Sequence, residues 1–221
     1  MPGSVIIVAG GSGKRMDSVI PKQFLELNGM PVLMWTIDRF YRYDQDLQII
    51  LVLPLDQVSY WERLCIQYRF EIKHEIAYGG ETRFHSVKSG LKLVKPGLIT
   101  AIHDGVRPLV TYDTIQRCFS EAGDKGNAVP VIDINDSIRE VYEGGSKVID
   151  RGNLKIVQTP QVFRYEQLAK GYEQEYSQDF KDDATVVEKS GFAINLVPGN
   201  NENIKLTTPF DMKIASMWLE Q

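Results

Sequence analysis

An apolar run, Val5–Ala9, leads into Gly10-Gly11-Ser12-Gly13, and Lys14 and Arg15 follow at once, with Lys22 close behind after Pro21. Glycines let backbone N–H groups come close to an anion, and flanking cations neutralise it. The stretch has the makings of a polyphosphate cradle. Two other glycine motifs do not fit it. A Walker loop needs Gly-Lys-Ser/Thr, whereas Arg15 follows Gly13-Lys14. The dinucleotide fingerprint fits Gly11 and Gly13 but then meets Met16, and Asp38 falls inside a helical pattern, too far on to hold a ribose.

Further along, Ala101-Ile-His-Asp-Gly-Val-Arg-Pro108 ends an apolar run with Asp104 and Gly105. An acid at that point suits a ribose hydroxyl or a divalent metal, and Arg107 adds a planar anion clamp. His103 reads as a space-filling or orienting residue rather than a base. Tyr78-Gly-Gly-Glu-Thr-Arg-Phe-His-Ser-Val87 offers close backbone approach at Gly79 and Gly80 and a hydroxyl at Ser86, with Thr82 as a helix cap. Gln158–Phe163 and Phe180–Gly191 are two more such segments. In the second, Asp182 and Asp183 open a helix and favour its dipole. Lys205 stands just ahead of the last helical pattern. There is no Gly-x-Ser-x-Gly elbow, no Cys/His pair and no zinc spacing. An inventory of cations, glycines and a few aspartates suits phosphoryl or nucleotidyl transfer, where catalysis is mostly positioning and charge neutralisation.

These residues need a scaffold that gathers them. Apolar runs at Ser4–Ala9, Gln48–Leu53, Glu71–Ala77, Ile99–His103 and Ala128–Ile132 alternate with helical patterns. The helical patterns open at Pro31, near Thr82, after Thr111 and at Thr208-Pro209. Such alternation predicts an α/β fold with a mostly parallel central sheet and helices on both faces. Ligands of such sheets bind at the carboxyl ends of strands, so the motifs at Gly10, Gly79 and His103 share one rim. Residues 136–156 break the rhythm. Two alternating stretches flank Glu143-Gly-Gly-Ser146, a hairpin arm with too few large apolar residues for a core of its own. It reads either as an arm docked on a partner subunit or as a solvated hairpin.

The chain has 221 residues, 25 Lys and Arg against 29 Asp and Glu, and a formal net charge of −4. That length suits a single domain, 1–221, with the arm within it. Basic residues form no stripe, so a small anionic substrate is expected rather than nucleic acid. The sequence shows neither a leader pattern nor a membrane-length apolar run, which predicts a cytoplasmic protein without a membrane partner. Its 2 cysteines, Cys65 and Cys118, lie in helical patterns and read as buried free thiols.

Taken in order, AGGSGKRM with PKQ, GGETRFHSV, HDGVRP, DRGNL with TPQVF, DDATVVEKSG and NIKLTTPFD resemble the cytidylyltransferases that make CDP-2-C-methyl-D-erythritol, over nearly the whole chain. The same family includes ribitol 5-phosphate cytidylyltransferases. The resemblance implies a Rossmann-like nucleotidyltransferase fold, a homodimer joined through the 136–156 arm, and CTP with Mg²⁺ as substrate and divalent metal. It implies that Ala9, Gly10, Gly11, Gly13, Gly80, Ser86, Asp104 and Gly105 hold the nucleotide, with Asp104 also near the metal. Arg15, Lys22 and Lys205 would be the catalytic cations. Arg107, Ser137, Arg151, Thr159 and Asp182 would surround the acceptor, with Arg151 supplied by the other subunit. Two positions depart from the family pattern: Ser137 and Lys181 stand where threonine is usual. The same motifs leave room for a transferase using another nucleotide, or for a nucleotide-binding protein without turnover.

Overall fold

Strands form where apolar residues alternate between two buried faces. In the computed structural model, which describes residues 3–10 and 20–219, β1 (Gly3–Val8) is followed by a short 3-10 turn at Lys22–Phe24. Next come β2 (Glu26–Leu27) and β3 (Met30–Pro31), joined through Asn28 and Gly29 at φ of 47° and 80°. Positive φ at both central residues is what a tight hairpin turn requires, and Asn-Gly supplies it most readily. Then follow α1 (Val32–Tyr43), β4 (Gln48–Leu53), α2 (Leu55–Gln67), β5 (Glu75–Tyr78), α3 (Arg83–Leu91), β6 (Ile99–Asp104), α4 (Tyr112–Lys125) and β7 (Asn127–Asp133). The arm is β8 (Ile138–Tyr142) and β9 (Gly145–Ile149). The chain finishes with β10 (Lys155–Val157), β11 (Gln161–Arg164), α5 (Tyr165–Glu173), α6 (Asp183–Lys189), β12 (Leu196–Pro198) and α7 (Pro209–Leu219).

The main sheet runs β10-β7-β11-β6-β1-β4-β5, with β12 beside β7. Pairings of β1 with β4 and β6, of β4 with β5 and of β12 with β7 are parallel, whereas β10 and β11 run antiparallel to their neighbours. The expected mostly parallel sheet is therefore present.

Side-chain alternation divides the core in two. Val5, Ile7, Leu51 and Leu53 face α1, α2 and α4 together with Leu33, Phe40, Trp61 and Cys118. Ile6, Ile50, Val52 and Ile102 face the other way, onto Phe84, Val87, Leu168 and Val186 of α3, α5 and α6. A smaller cluster, Leu27, Val32, Val106, Leu206 and Ala215, seats α7. Shifting β1 by one residue would exchange its two faces, so this pattern fixes the register.

The expected strand at Glu71–Ala77 begins only at Glu75, where pairing with Ile50 starts. Just before it, the His74 ring donates from Nδ1 to Ile72 O at 2.8 Å and accepts from Trp61 Nε1 at 2.9 Å, which fixes a turn rather than a ladder. Cys118 is buried, as expected, but Cys65 is only half-buried: it packs against the edge of the core, and of α2 just Trp61 and Leu64 are buried. Among the described residues no helix is long and apolar enough to cross a membrane.

Candidate nucleotide-transfer site

β1, β4 and β6 lie side by side, so their carboxyl ends open on one cleft. Its volume is about 280 Å³, and its walls include Ala9, Gly10, Lys22, Gln23, Gly80, Arg83, Ser86, Asp104 and Lys205. Three sequence motifs expected on one rim do meet there. The segment containing Gly11, Gly13, Lys14 and Arg15 lies outside the described residues.

Each wall has a local cause. Gln23 donates from Nε2 to Ala9 O at 2.9 Å, which ties the Lys22 turn to the end of β1. Gly79 N donates to Leu53 O at 2.8 Å, at the end of β4. A Cβ on Gly80 would stand 2.5 Å from His85 Cβ, so only glycine lets this turn fold back on α3. Thr82 caps α3, accepting from His85 N. The Ser86 hydroxyl accepts from Gly80 N at 3.1 Å and donates to Thr82 O at 3.0 Å. Its single proton is thereby committed, so toward a ligand in the cleft it can act only as an acceptor.

Asp104 is the hub. Lys205 Nζ lies 3.0 Å and Arg107 Nε 3.2 Å from its Oδ2, and Arg83 Nε lies 3.7 Å from Oδ1. Burial alone would raise its pKa, but Arg83, Lys205 and Arg107 outweigh this and hold the carboxyl well below the usual carboxylate range. The cluster is positive overall, a standing field for a polyanion.

A second layer aims the hub. Asp104 N donates to Thr159 Oγ1 at 3.1 Å; Thr159 Oγ1 in turn donates to His103 Nδ1 at 3.1 Å; and His103 Nε2 donates to Arg107 O at 3.1 Å. His103 is fully buried, and burial pushes its pKa down to about 4. It is a neutral orienting residue, as the sequence suggested. The unfolded chain takes up this proton near the ordinary pKa of about 6.5, before the folded chain does, so stability is lost as pH falls from there toward 4. The shift corresponds to about 3 kcal/mol. His103→Gln should flatten that part of a denaturation-versus-pH curve; an unchanged slope would clear His103 of it.

The structure thus gathers Ala9, Gly10, Lys22, Gly80, Ser86, Asp104 and Lys205. The other described candidates stand beside the cleft or on the arm. Gly105 N donates to Val8 O at 2.9 Å, and a Cβ there would lie 2.9 Å from Ala9 Cβ; its smallness lets β1 and β6 meet. Arg107 spends NH1 on Asn203 O at 2.7 Å in addition to its bond to Asp104. Thr159 is buried in the His103 chain. Asp182 caps α6, accepting from Thr185 N at 2.8 Å and from Gln161 Nε2 at 3.0 Å. Ser137 is exposed at the foot of the arm, and Arg151, also exposed, donates to Asn135 O. Lys181 donates to Gln178 O at 2.7 Å. Sequence reasoning missed Arg83 and Gln23 as wall residues. The signal for Arg83 was available: a cation opening α3 right after the glycine turn.

A family model described as 2-C-methyl-D-erythritol 4-phosphate cytidylyltransferase matches residues 4–221. The protein of that description from Bacteroides fragilis is 53% identical over 216 residues, covering 98% of this chain and 99% of that one. Its counterpart in Bacillus pumilus is 38% identical over 215 residues, covering 96% and 94%. The crystal structure of the Thermus thermophilus enzyme superposes with a TM-score of 0.81 at 27% identity over 100% of both chains, and that from Francisella tularensis with 0.82 at 28%, over 98% and 99%. Sequence, fold and the cleft's chemistry agree: the chain belongs to the 2-C-methyl-D-erythritol 4-phosphate cytidylyltransferase family.

Proposed function

We propose that this chain transfers the cytidylyl group of CTP to 2-C-methyl-D-erythritol 4-phosphate, a step in non-mevalonate isoprenoid precursor synthesis. The carrying observation is Asp104, kept ionised among Lys205, Arg107 and Arg83 where β1 and β6 end. A phosphate oxygen of the acceptor forms a bond to the α-phosphorus of CTP as the bond to the bridging oxygen of pyrophosphate breaks. The nucleophile is already an anion near neutral pH, so the reaction needs no general base, and neutral His103 is not asked to be one. Lys22 and Lys205, with Arg15, neutralise the charge that builds on the transferring phosphorus. The free lone pair of Ser86 fits the amino group of cytosine and would repel the carbonyl that uracil carries at that position.

Mg²⁺ fits as a partner of the triphosphate rather than as a resident ion. Among the described residues no three His, Cys, Asp or Glu side chains cluster, and Asp104 is the single carboxylate of the hub. Magnesium is commonly held in this way, by one or two carboxylates plus substrate phosphates. When bound it would offset triphosphate charge, with Asp104 as the carboxylate available to hold it.

The acceptor side is read as shared between two copies. Val141 and Val148, which share one face of the arm, are 80% and 69% exposed, an apolar surface suited to a second arm. On this reading Arg151 and Ser137 complete the partner's cleft. Arg151→Ala should then raise the acceptor KM by about tenfold or more, with the CTP KM little changed. Mixed with Lys205→Ala it should recover activity, because one cleft of each heterodimer would be intact. Heterodimers that form yet stay inactive would rule out sharing. The free thiols Cys65 and Cys118 suit a reducing, cytoplasmic setting.

Pyrophosphate release with Mg²⁺ and CTP, measured in parallel with 2-C-methyl-D-erythritol 4-phosphate and D-ribitol 5-phosphate, tests the function. Preference for the first is expected. Preference for the second would keep the nucleotide chemistry and change the acceptor, and silence with both would overturn the reading.

A further inference from the structure

We propose that Tyr172 and Asp183 are positioning residues for the transfer reaction, acting through Arg83 to hold the Asp104 side of the cleft. The inference rests on the reading of that cleft as a CTP site. Three helices meet behind it. Arg83 opens α3, Asp183 opens α6, and Tyr172 stands near the end of α5. Arg83 donates from NH1 and NH2 to the two oxygens of Asp183 at 2.7 and 2.6 Å, and the Tyr172 hydroxyl donates to Asp183 Oδ1 at 2.6 Å. The Asp183 side chain is fully buried, so both its oxygens are spent on this pair of residues.

The arrangement solves a problem the cleft creates. Arg83 brings a cation to a carboxylate that Lys205 and Arg107 already hold, and those two charges repel it. An opposite charge behind it offsets that repulsion, and a two-point pairing also fixes the plane of the guanidinium. With NH1 and NH2 occupied by Asp183, it is Nε that points toward Asp104, at 3.7 Å. Tyr172 locks the carboxylate in turn. Burial, and then Asp183, push its phenol well above the ordinary pKa, so it stays a donor. Its ring stacks on Phe84 at 4.8 Å. Tyr172→Phe therefore keeps the stack and removes only the hydrogen bond.

A structural tie alone would affect the melting temperature and leave the kinetics additive. A positioning role makes a different prediction: the effects of Tyr172 and Asp183 should vanish once Arg83 is gone. Steady-state kinetics with CTP and 2-C-methyl-D-erythritol 4-phosphate should be measured for Tyr172→Phe, Asp183→Asn, Arg83→Ala and the two double variants containing Arg83→Ala, each with a thermal melt. kcat/KM for CTP is expected to fall about tenfold in Tyr172→Phe and about a hundredfold in Asp183→Asn. The acceptor KM should stay near wild type, and neither double variant should fall below Arg83→Ala alone. Single variants at wild-type kcat/KM, or doubles that lose the full product of the single effects, would overturn the proposal. Should Asp183→Asn fail to fold, the Tyr172→Phe cycle decides by itself. A silent wild type would instead overturn the cytidylyltransferase reading, and the positioning role with it.

Discussion

Lys205→Ala is expected to lower kcat by about 10²–10³ while leaving the fold intact. The ammonium lies 3.0 Å from Asp104 Oδ2, yet its side chain is 44% exposed, so it stands at the mouth of the cleft. From there it can hold Asp104 and face a phosphate at once. A partly exposed pair of this kind is worth no more than about 1 kcal/mol of stability, so the melting temperature should barely move. The kinetic loss is larger because charge on the transferring phosphorus peaks in the transition state, where a cation already aimed at it counts most. Lys22→Ala, in the same cleft, should lose activity on the same scale. Near-normal turnover of either variant, measured by pyrophosphate release at saturating substrates, would remove that residue from the catalytic set.

Asp104→Asn should damage both turnover and stability. The change leaves Arg83, Arg107 and Lys205 grouped around a neutral amide, and stripping a buried charge from its partners costs about 3 kcal/mol. The partial exposure of Arg83 and Lys205 keeps this toward the low end of such effects. Two influences on CTP then oppose each other. A more positive cleft attracts the triphosphate, whereas cations freed from their common anchor no longer aim at it. Attraction acts on the bound ground state and aim on the transition state, so the loss should fall mainly on kcat, again about 10²–10³, with a smaller change in KM. Added sulfate should raise the melting temperature of the variant more than that of the wild type, because an anion can replace the missing carboxylate. Wild-type kcat with an unchanged melt would show that Asp104 is not the hub.

Much of this molecule can be read from its order of residues. β1, β4 and β6 are legible because each is a mostly apolar run that the sheet buries on both faces. The arm is legible through Glu143-Gly-Gly-Ser146, and Gly144 does adopt φ of 88°. The last helix is legible from Thr208 and Asp211: Asp211 N donates to Thr208 Oγ1 at 3.2 Å, and the Asp211 carboxylate accepts from Thr208 N at 2.8 Å. The pattern reading places Cys65 in a helical pattern but gives α2 no bounds, because Leu55 and Ile66, among its most apolar residues, are 68% and 79% exposed, which blurs its buried face. It leaves β10, β11 and β12 unassigned because strands of three or four residues carry too little alternation to register.

For the site, residue types and spacing marked out Gly80, Ser86, Asp104 and Lys22, because glycine turns and polar residues at strand ends are local features of the chain, and the family resemblance added Lys205. Tertiary structure alone decided which polar groups spend themselves on one another. Thr159 and Arg107 look like ligand contacts in sequence, and in the fold both are bonded to Asp104 itself, Thr159 through the backbone N–H and Arg107 through the carboxylate. Arg83 looks like an ordinary first residue of a helix, yet it bridges Asp104 and an aspartate 100 positions along the chain. Periodicity and turn chemistry act over a few residues, so the chain carries them wherever it goes. Ion pairing depends on which strand ends are neighbours, and that was settled only when β1 took its place between β4 and β6.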